Sequence, residues 1–151
     1  KKIKAILFAT VFMLSFSAYA AYPGAQYNVV LNNKTNTNMS IHAQYRIVSG
    51  DSCVSHVNGP LTFDFEKGKK IFTWKVFNTP RCIAYAKSYY IMLNQEYSVK
   101  GTLVSHGRIA LYRRNNKWQA MYSLTNYPNS EVKTSMISKG DSMRLSFKSI
   151  G

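Results

Sequence analysis

The sequence has 151 residues, of which 20 are basic and 6 acidic, for a net charge of +14. A hydrophobic content of 46% and an aromatic content of 14% exclude a disordered chain, which lacks groups to bury. Two cysteines exclude a disulfide-dense miniprotein and a four-cysteine zinc module. The composition predicts one small, basic, globular domain.

The first twenty residues have the pattern of a secretory signal peptide. A lysine-rich start precedes an apolar run over Ala5–Phe16, and Ala18-Tyr19-Ala20 gives the small-x-small motif of a cleavage site. The run is shorter than the roughly 20 apolar residues that span a bilayer. We therefore expect cleavage after Ala20, a single domain over residues 21–151 with no transmembrane segment, and export to the periplasm or the cell exterior. An uncleaved N-terminal anchor is the alternative.

Removal of this segment leaves the chain strongly basic. Without its three lysines, 17 basic residues stand against 6 acidic ones, a net charge of +11. Such a charge favours association with polyanions, namely phospholipid surfaces, nucleic acid or acidic glycans. A lysine- and asparagine-rich genome composition is the alternative cause of the charge.

Cys53 and Cys82 are the two cysteines of the chain. An oxidising compartment would join them, and closing a loop of about 30 residues stabilises a fold by roughly 3–4 kcal/mol. A free, reactive thiol is the alternative, although the sequence has no C-x-x-C motif.

Alternation of apolar and polar residues predicts strands along the rest of the chain. They are, in order, Tyr27–Leu31, Met39–Ile47, Leu61–Phe65, Ile71–Phe77, Tyr97–Val104, Arg108–Arg113, Lys117–Thr125, Glu131–Ile137 and Ser142–Ile150. Asn115-Asn116 predicts a hairpin turn, because Asn tolerates positive φ. Ile83–Leu93 is nearly continuous in its apolar character, and its Tyr and Ile residues favour a strand over a short helix.

Eight to ten short strands separated by frequent turns predict an all-β, single-domain antiparallel β-sandwich. We expect an immunoglobulin-like architecture, with a small closed β-barrel as the alternative. The order Cys53, Trp74, Cys82 is only loosely similar to the Cys-Trp-Cys order of antibody domains.

Motifs for catalysis and cofactor binding are missing from the sequence. His42, His56 and His106 have no metal-ligand spacing, and no nucleophile motif such as G-x-S-x-G occurs. We therefore predict no metal, no cofactor and no catalytic residues. A small basic hydrolase that uses histidine is the weakest of the functional hypotheses.

The clearest positive signal is a group of basic and aromatic residues at the predicted hairpin tip. Arg113, Arg114 and Lys117 flank the turn, and Trp118 follows it. A second group, beside Trp74, consists of Lys67, Lys69 and Lys70. Arginine forks bind phosphate or carboxylate, and aromatic side chains stack on bases and sugars or lie at membrane interfaces. If both turns lie at one end of the sandwich, they form one basic rim for an anionic ligand.

These features favour a secreted or periplasmic binding module that docks on a lipid headgroup, glycan or nucleic acid. The first alternative is an envelope structural or protein-interaction domain that pairs with a protein partner through its strand edges. The oligomeric state is open.

Export should remove the first twenty residues of the chain. We expect the intact mass of the exported protein to correspond to a chain that begins at Ala21. A mass that includes Lys1 would contradict the predicted cleavage.

Overall fold

The computed structural model describes residues 11–17, 25–36, 39–57, 60–128, 130–139 and 141–150. Within these ranges the chain forms eleven strands, one α-helix and one short 3-10 turn. The strands make two sheets that pack face to face.

The first sheet has six strands, and every neighbouring pair in it is antiparallel. Its spatial order is β1 (Val11–Ser17), β9 (Lys117–Asn126), β8 (Thr102–Arg114), β7 (Ile91–Val99), β3 (Ile41–Ser49) and β5 (Thr62–Phe65). Strands β7, β8 and β9 form a continuous meander joined by two tight turns.

The second sheet has five strands. Its order is β10 (Val132–Lys139), β11 (Ser142–Ser149), β2 (Ala25–Asn33), β6 (Gly68–Val76) and β4 (Val54–Val57). The pair β11 and β2 is parallel, and the other three pairs are antiparallel. Strand β11 thereby lies inside the sheet, between the edge strand β10 and the strand that opens the predicted mature domain.

The prediction of a mostly β, two-sheet sandwich is confirmed. The closed-barrel alternative is wrong, because the two sheets remain separate in the described part of the chain. The immunoglobulin-like arrangement stays a prediction.

The segment predicted as a strand over Ile83–Leu93 is instead mostly helical. Helix α1 (Pro80–Ser88) ends before β7 begins at Ile91. Thr79 caps the helix by accepting a hydrogen bond from the Cys82 amide at 3.2 Å, and proline occupies the first helical turn. A Thr-Pro start is a helix signal that outweighs the β propensity of Ile and Tyr.

Turn residues with positive φ decide the outcome of two further predictions. The predicted strand Tyr97–Val104 is wrong, because Lys100 and Gly101 adopt positive φ of 52° and 79° and reverse the chain between β7 and β8. The Asn115-Asn116 turn is confirmed, with φ of 54° and 61°. Positive φ at both central residues is the requirement of a type I′ hairpin turn.

Aromatic side chains fill the space between the sheets. Tyr45 of β3 lies 4.9 Å from Phe72 and 5.5 Å from Trp74, both on β6 of the opposite sheet, measured between ring centroids. Its hydroxyl lies 2.8 Å from that of Tyr97, which donates to Gln95 Oε1 at 2.7 Å. The buried hydroxyls of Tyr45 and Tyr97 are therefore hydrogen-bonded, which removes most of the cost of their burial. Trp74 Nε1, by contrast, is buried without a hydrogen-bond partner among the described residues.

The predicted disulfide between Cys53 and Cys82 is confirmed, with a Cα–Cα distance of 5.6 Å. It joins the 3-10 turn Asp51–Cys53, which follows β3, to the first turn of α1. The bond is compatible with export to an oxidising compartment. No helix among the described residues has the length and apolar character needed to cross a bilayer.

Gly107 allows β8 to pass close to β9. A Cβ atom at this position would overlap the carbonyl oxygen of Ser123 and lie 2.9 Å from Gln95 Nε2. We expect Gly107→Ala to lower the free energy of unfolding by about 2–3 kcal/mol, because backbone must move to admit the methyl group. Gly101→Ala is the control, since its Cβ meets open space and only the positive φ costs about 1 kcal/mol. Equal losses in urea denaturation would contradict the close approach.

The buried tyrosines predict alkaline unfolding. Burial raises the pKa of Tyr45, Tyr97, Tyr27 and Tyr122 above the ordinary value of 10.0. An unfolded chain loses these protons near pH 10 while the folded chain retains them, so stability falls as pH rises above about 10. The part of the tyrosinate absorbance that comes from these four buried tyrosines should appear together with the loss of the circular dichroism signal, in one cooperative step. Ionisation of all tyrosines with the sheet signal intact would contradict this expectation.

Candidate anion-binding face

The four residues predicted to bind a ligand at the hairpin tip are not all exposed, as the sequence hypothesis requires. Trp118 is fully buried, and its Nε1 donates to Asn78 Oδ1 at 3.2 Å. Its ring is therefore part of the core and cannot stack on a ligand. Arg113 is half-buried, while Arg114 and Lys117 are exposed.

The two arginines of the tip rest on different rings. The guanidinium carbon of Arg113 lies 5.5 Å from the Trp118 ring, and that of Arg114 lies 5.2 Å from the Tyr112 ring. Consecutive residues of a strand point to opposite sheet faces. The aromatic rings support the two cations separately, so the arginines do not form one fork around a single anion.

The second predicted group lies at the other end of the sandwich. Strand β6 runs from Gly68, paired with Asn33, to Val76, paired with Ala25. Lys67, Lys69 and Lys70 lie at or next to the Gly68 end, whereas the contact between Trp118 and Asn78 places the hairpin tip near the Val76 end. The single rim that the sequence predicted is therefore not formed, and Trp74, like Trp118, is fully buried.

The structure instead gathers cations on the outer face of the five-stranded sheet. Strand alternation directs every second residue of β10, β11, β2 and β6 away from the core. We call this surface the basic face, and its exposed cations are Lys34, Lys69, Lys75, Lys133, Arg144 and Lys148. Of the residues predicted from sequence, Lys69 belongs to it.

No acidic residue balances these cations within the sheet. The described strands β10, β11, β2 and β6 contain neither Asp nor Glu. Lys133 and Lys148 are directly paired across β10 and β11. Like charges opposite each other destabilise a sheet, and a bound anion would relieve this repulsion.

A depression of about 300 Å³ lies in the basic face. Its lining includes three cations, Lys34, Lys69 and Arg144. Ser135, Ser146 and Asn32 contribute hydroxyl and amide side chains to it. The remaining lining residues are apolar, namely Val30, Ile137 and Leu145. Cations beside neutral hydrogen-bond donors are the groups that bind a phosphate or carboxylate oxygen.

Apolar side chains also lie on this face, in a cross-strand row that Arg144 interrupts. The register places Ile137 beside Arg144, Arg144 beside Val30, and Val30 beside Ile71. Ile137 is 69% exposed and Ile71 is 52% exposed. The face thus combines positive charge with exposed aliphatic surface.

The aromatic residues of these four strands all point inward. Tyr27, Phe72, Trp74 and Phe147 are each 1% exposed or less. Nucleic-acid bases and sugar rings are usually held by stacking on exposed aromatic side chains. The basic face offers no such ring among the outward positions of these strands.

The outer face of the six-stranded sheet has a different character. His42 Nδ1 lies 2.8 Å from Asp64 Oδ1, and their side chains are 42% and 67% exposed. A depression of about 190 Å³ farther along the sheet is lined partly by Glu96, His106 and Arg108. Acidic and basic groups alternate here, so this face has no uniform charge. No group of three metal-ligating side chains occurs among the described residues.

No protein-family model, no curated protein and no solved structure matches this chain. The function therefore has to be inferred from the two sheet faces themselves. The alternation of Lys133, Ser135 and Ile137 shows in the sequence that they share a face of β10. What brings this face beside Lys69 is the parallel pairing of β11 with β2, which no local pattern reveals.

Proposed function

We propose that this protein is a non-enzymatic binding module that docks on an anionic lipid surface through the basic face. The observation that carries the proposal is the coincidence of six exposed cations with two exposed isoleucines on one face of a sheet, whose four adjacent strands contain no acidic residue. Four strands span about 14–15 Å from the first to the last, so several lipid headgroups fit beneath the sheet.

Charge supplies the long-range part of this attraction. A Lys or Arg close to an anionic membrane contributes about 1 kcal/mol, and the effect decays within a Debye length of about 8–10 Å. Binding should therefore weaken steeply as salt rises. The depression that contains Lys34, Lys69 and Arg144 supplies a place for one headgroup phosphate.

The two exposed isoleucines supply the short-range part of the attraction. Charge alone gives reversible membrane binding, and stable docking takes a second, apolar contribution. Ile71 and Ile137 project from the same face as the cations and can enter the boundary between headgroups and acyl chains. A glycan or nucleic acid would leave this aliphatic surface in water, which favours lipid over the other two polyanions.

The basic hairpin tip stays a second candidate contact, and the test below separates it from the face. The two alternative functions, protein interaction and histidine-dependent hydrolysis, also stay hypotheses. The exposed His42–Asp64 pair lies outside the basic face, so loss of lipid binding and loss of a histidine-dependent activity would be separable.

Charge reversal on the basic face should abolish most of the vesicle binding. We expect Lys133→Glu/Lys148→Glu to weaken binding to phosphatidylglycerol vesicles at low salt by at least about 30-fold, since two cations contribute about 2 kcal/mol. Vesicle co-sedimentation across a salt series measures the effect. The wild type should bind phosphatidylcholine vesicles weakly at every salt concentration.

Two control variants carry the same change in net charge. Lys87→Glu/Lys100→Glu alters exposed lysines at the end of α1 and in the β7–β8 turn. Arg113→Glu/Arg114→Glu alters the hairpin tip. Equal loss in all three variants would mean that diffuse charge is responsible, and a loss confined to the tip variant would assign binding to the hairpin.

The two exposed isoleucines should contribute most to binding at salt concentrations that screen the charges. We expect Ile71→Ser/Ile137→Ser to weaken vesicle binding by about tenfold at physiological salt, through lost burial of two aliphatic side chains. The free energy of unfolding should change by about 0.5 kcal/mol or less per residue, because both side chains are exposed. Val48→Ser, on the other sheet and 40% exposed, is the control and should leave binding unchanged.

A further inference from the structure

Strand β1 lies at one edge of the six-stranded sheet, and the predicted cleavage after Ala20 would remove it. It comprises Val11–Ser17, within the segment that the sequence predicts to be cleaved after Ala20. It is the outermost strand of the six-stranded sheet and pairs antiparallel with β9, from Val11 opposite Thr125 to Ser17 opposite Gln119. Cleavage after Ala20 would separate β1 from the domain and leave β9 at the edge.

An uncovered β9 would be unlike the other edges of the sandwich. Strands β4 and β5, which close the two sheets on one side, have four residues each. Strand β10, the remaining edge, carries Lys133 and Lys139. Short edges and edge lysines are the usual protection against unwanted strand pairing. Strand β9 has ten residues, and its single charged residue is Lys117 at its start.

The sequence and register of β1 indicate which kind of segment can pair with β9. The register pairs Phe12 with Leu124, Leu14 with Tyr122, and Phe16 with Ala120. These three β9 residues are buried, at 1% exposure or less. The segment Val11–Ser17 contains no charged residue. Phe12, Leu14 and Phe16 stand at every second position, and Val11, Met13, Ser15 and Ser17 occupy the others.

We propose that the processed protein uses the β9 edge, Gln119–Thr125, to bind an extended segment of another protein by strand addition. The segment is uncharged and has large apolar residues at every second position, in the pattern of Phe12, Leu14 and Phe16. Main-chain hydrogen bonds to β9 supply affinity, and the alternate apolar residues supply selectivity. This inference is independent of lipid docking, which uses the other sheet.

The probe is a synthetic peptide with the sequence of Val11–Ser17, flanked by lysines for solubility. The full chain is produced in an exporting host, and the purified product is first weighed by intact-mass analysis. We expect a product that begins at Ala21, binds the peptide in calorimetry, and shows an apparent Tm that rises with peptide concentration. A peptide with serine in place of both phenylalanines and the leucine should bind at least about tenfold more weakly.

Backbone methylation separates strand pairing from simple apolar contact. In an antiparallel ladder, the N–H groups of alternate residues point toward the partner strand. We compare two peptides, one N-methylated at positions 12, 14 and 16 and one N-methylated at positions 13 and 15. One of them should lose binding to the processed protein, and the other should retain it. Equal binding of the two would overturn the proposal.

Three other outcomes would also overturn it. The first is a product that retains β1, the second is no binding of the unmodified peptide, and the third is a dimer of the processed chain whose edge excludes the peptide. None of them affects the vesicle experiment, and failure of vesicle binding leaves this test unchanged. The two proposals therefore stand or fall separately.

Discussion

The structure depends on the contact of Tyr45 with the opposite sheet. Its ring meets Phe72 and Trp74 across the sandwich and Phe63 and Tyr97 within its own sheet. Aromatic pairs at these separations contribute beyond their buried area. Because the Tyr45 hydroxyl is hydrogen-bonded to Tyr97, the polar end of the ring is accommodated in the buried core. The Tyr45 ring thus joins the aromatic residues of both sheets in one cluster.

The same packing determines the chemistry of the surface. A strand that turns Tyr27 or Trp74 inward must turn the alternate residues outward, and in β10, β11, β2 and β6 those residues are mostly Lys, Arg, Ser, Asn and Ile. The aromatic rings of these strands therefore lie in the core, and charged and aliphatic side chains lie on the outer face. This division distinguishes the basic face from a stacking platform and underlies our proposal that the face docks on lipid.

The arginines of the hairpin tip show that burial decides whether the residues of a sequence motif can contact a ligand. Arg113 and Trp118 look in the sequence like two parts of one binding site. In the fold, Trp118 is an interior residue held by Asn78, and Arg113 covers it. A cation beside an aromatic residue in a strand therefore indicates a binding site only when the ring remains exposed. On the basic face, the cations lie beside isoleucines that are exposed, so the charged and the apolar side chains are both accessible from solvent.

The sequence by itself determined the class of fold, most strand positions, the Asn115-Asn116 turn and the Cys53–Cys82 bond. These follow from local chemistry: alternation, turn residues that tolerate positive φ, and two cysteines with no other partner. It did not determine α1, where the Thr79 cap competed with β propensity, or the reversal at Lys100 and Gly101. Only the tertiary structure decided which strands are neighbours. The parallel pairing of β11 with β2 joins residues more than a hundred positions apart, and it gathers lysines that are scattered along the chain into one face. That pairing is set by packing across the whole core, which no local pattern encodes.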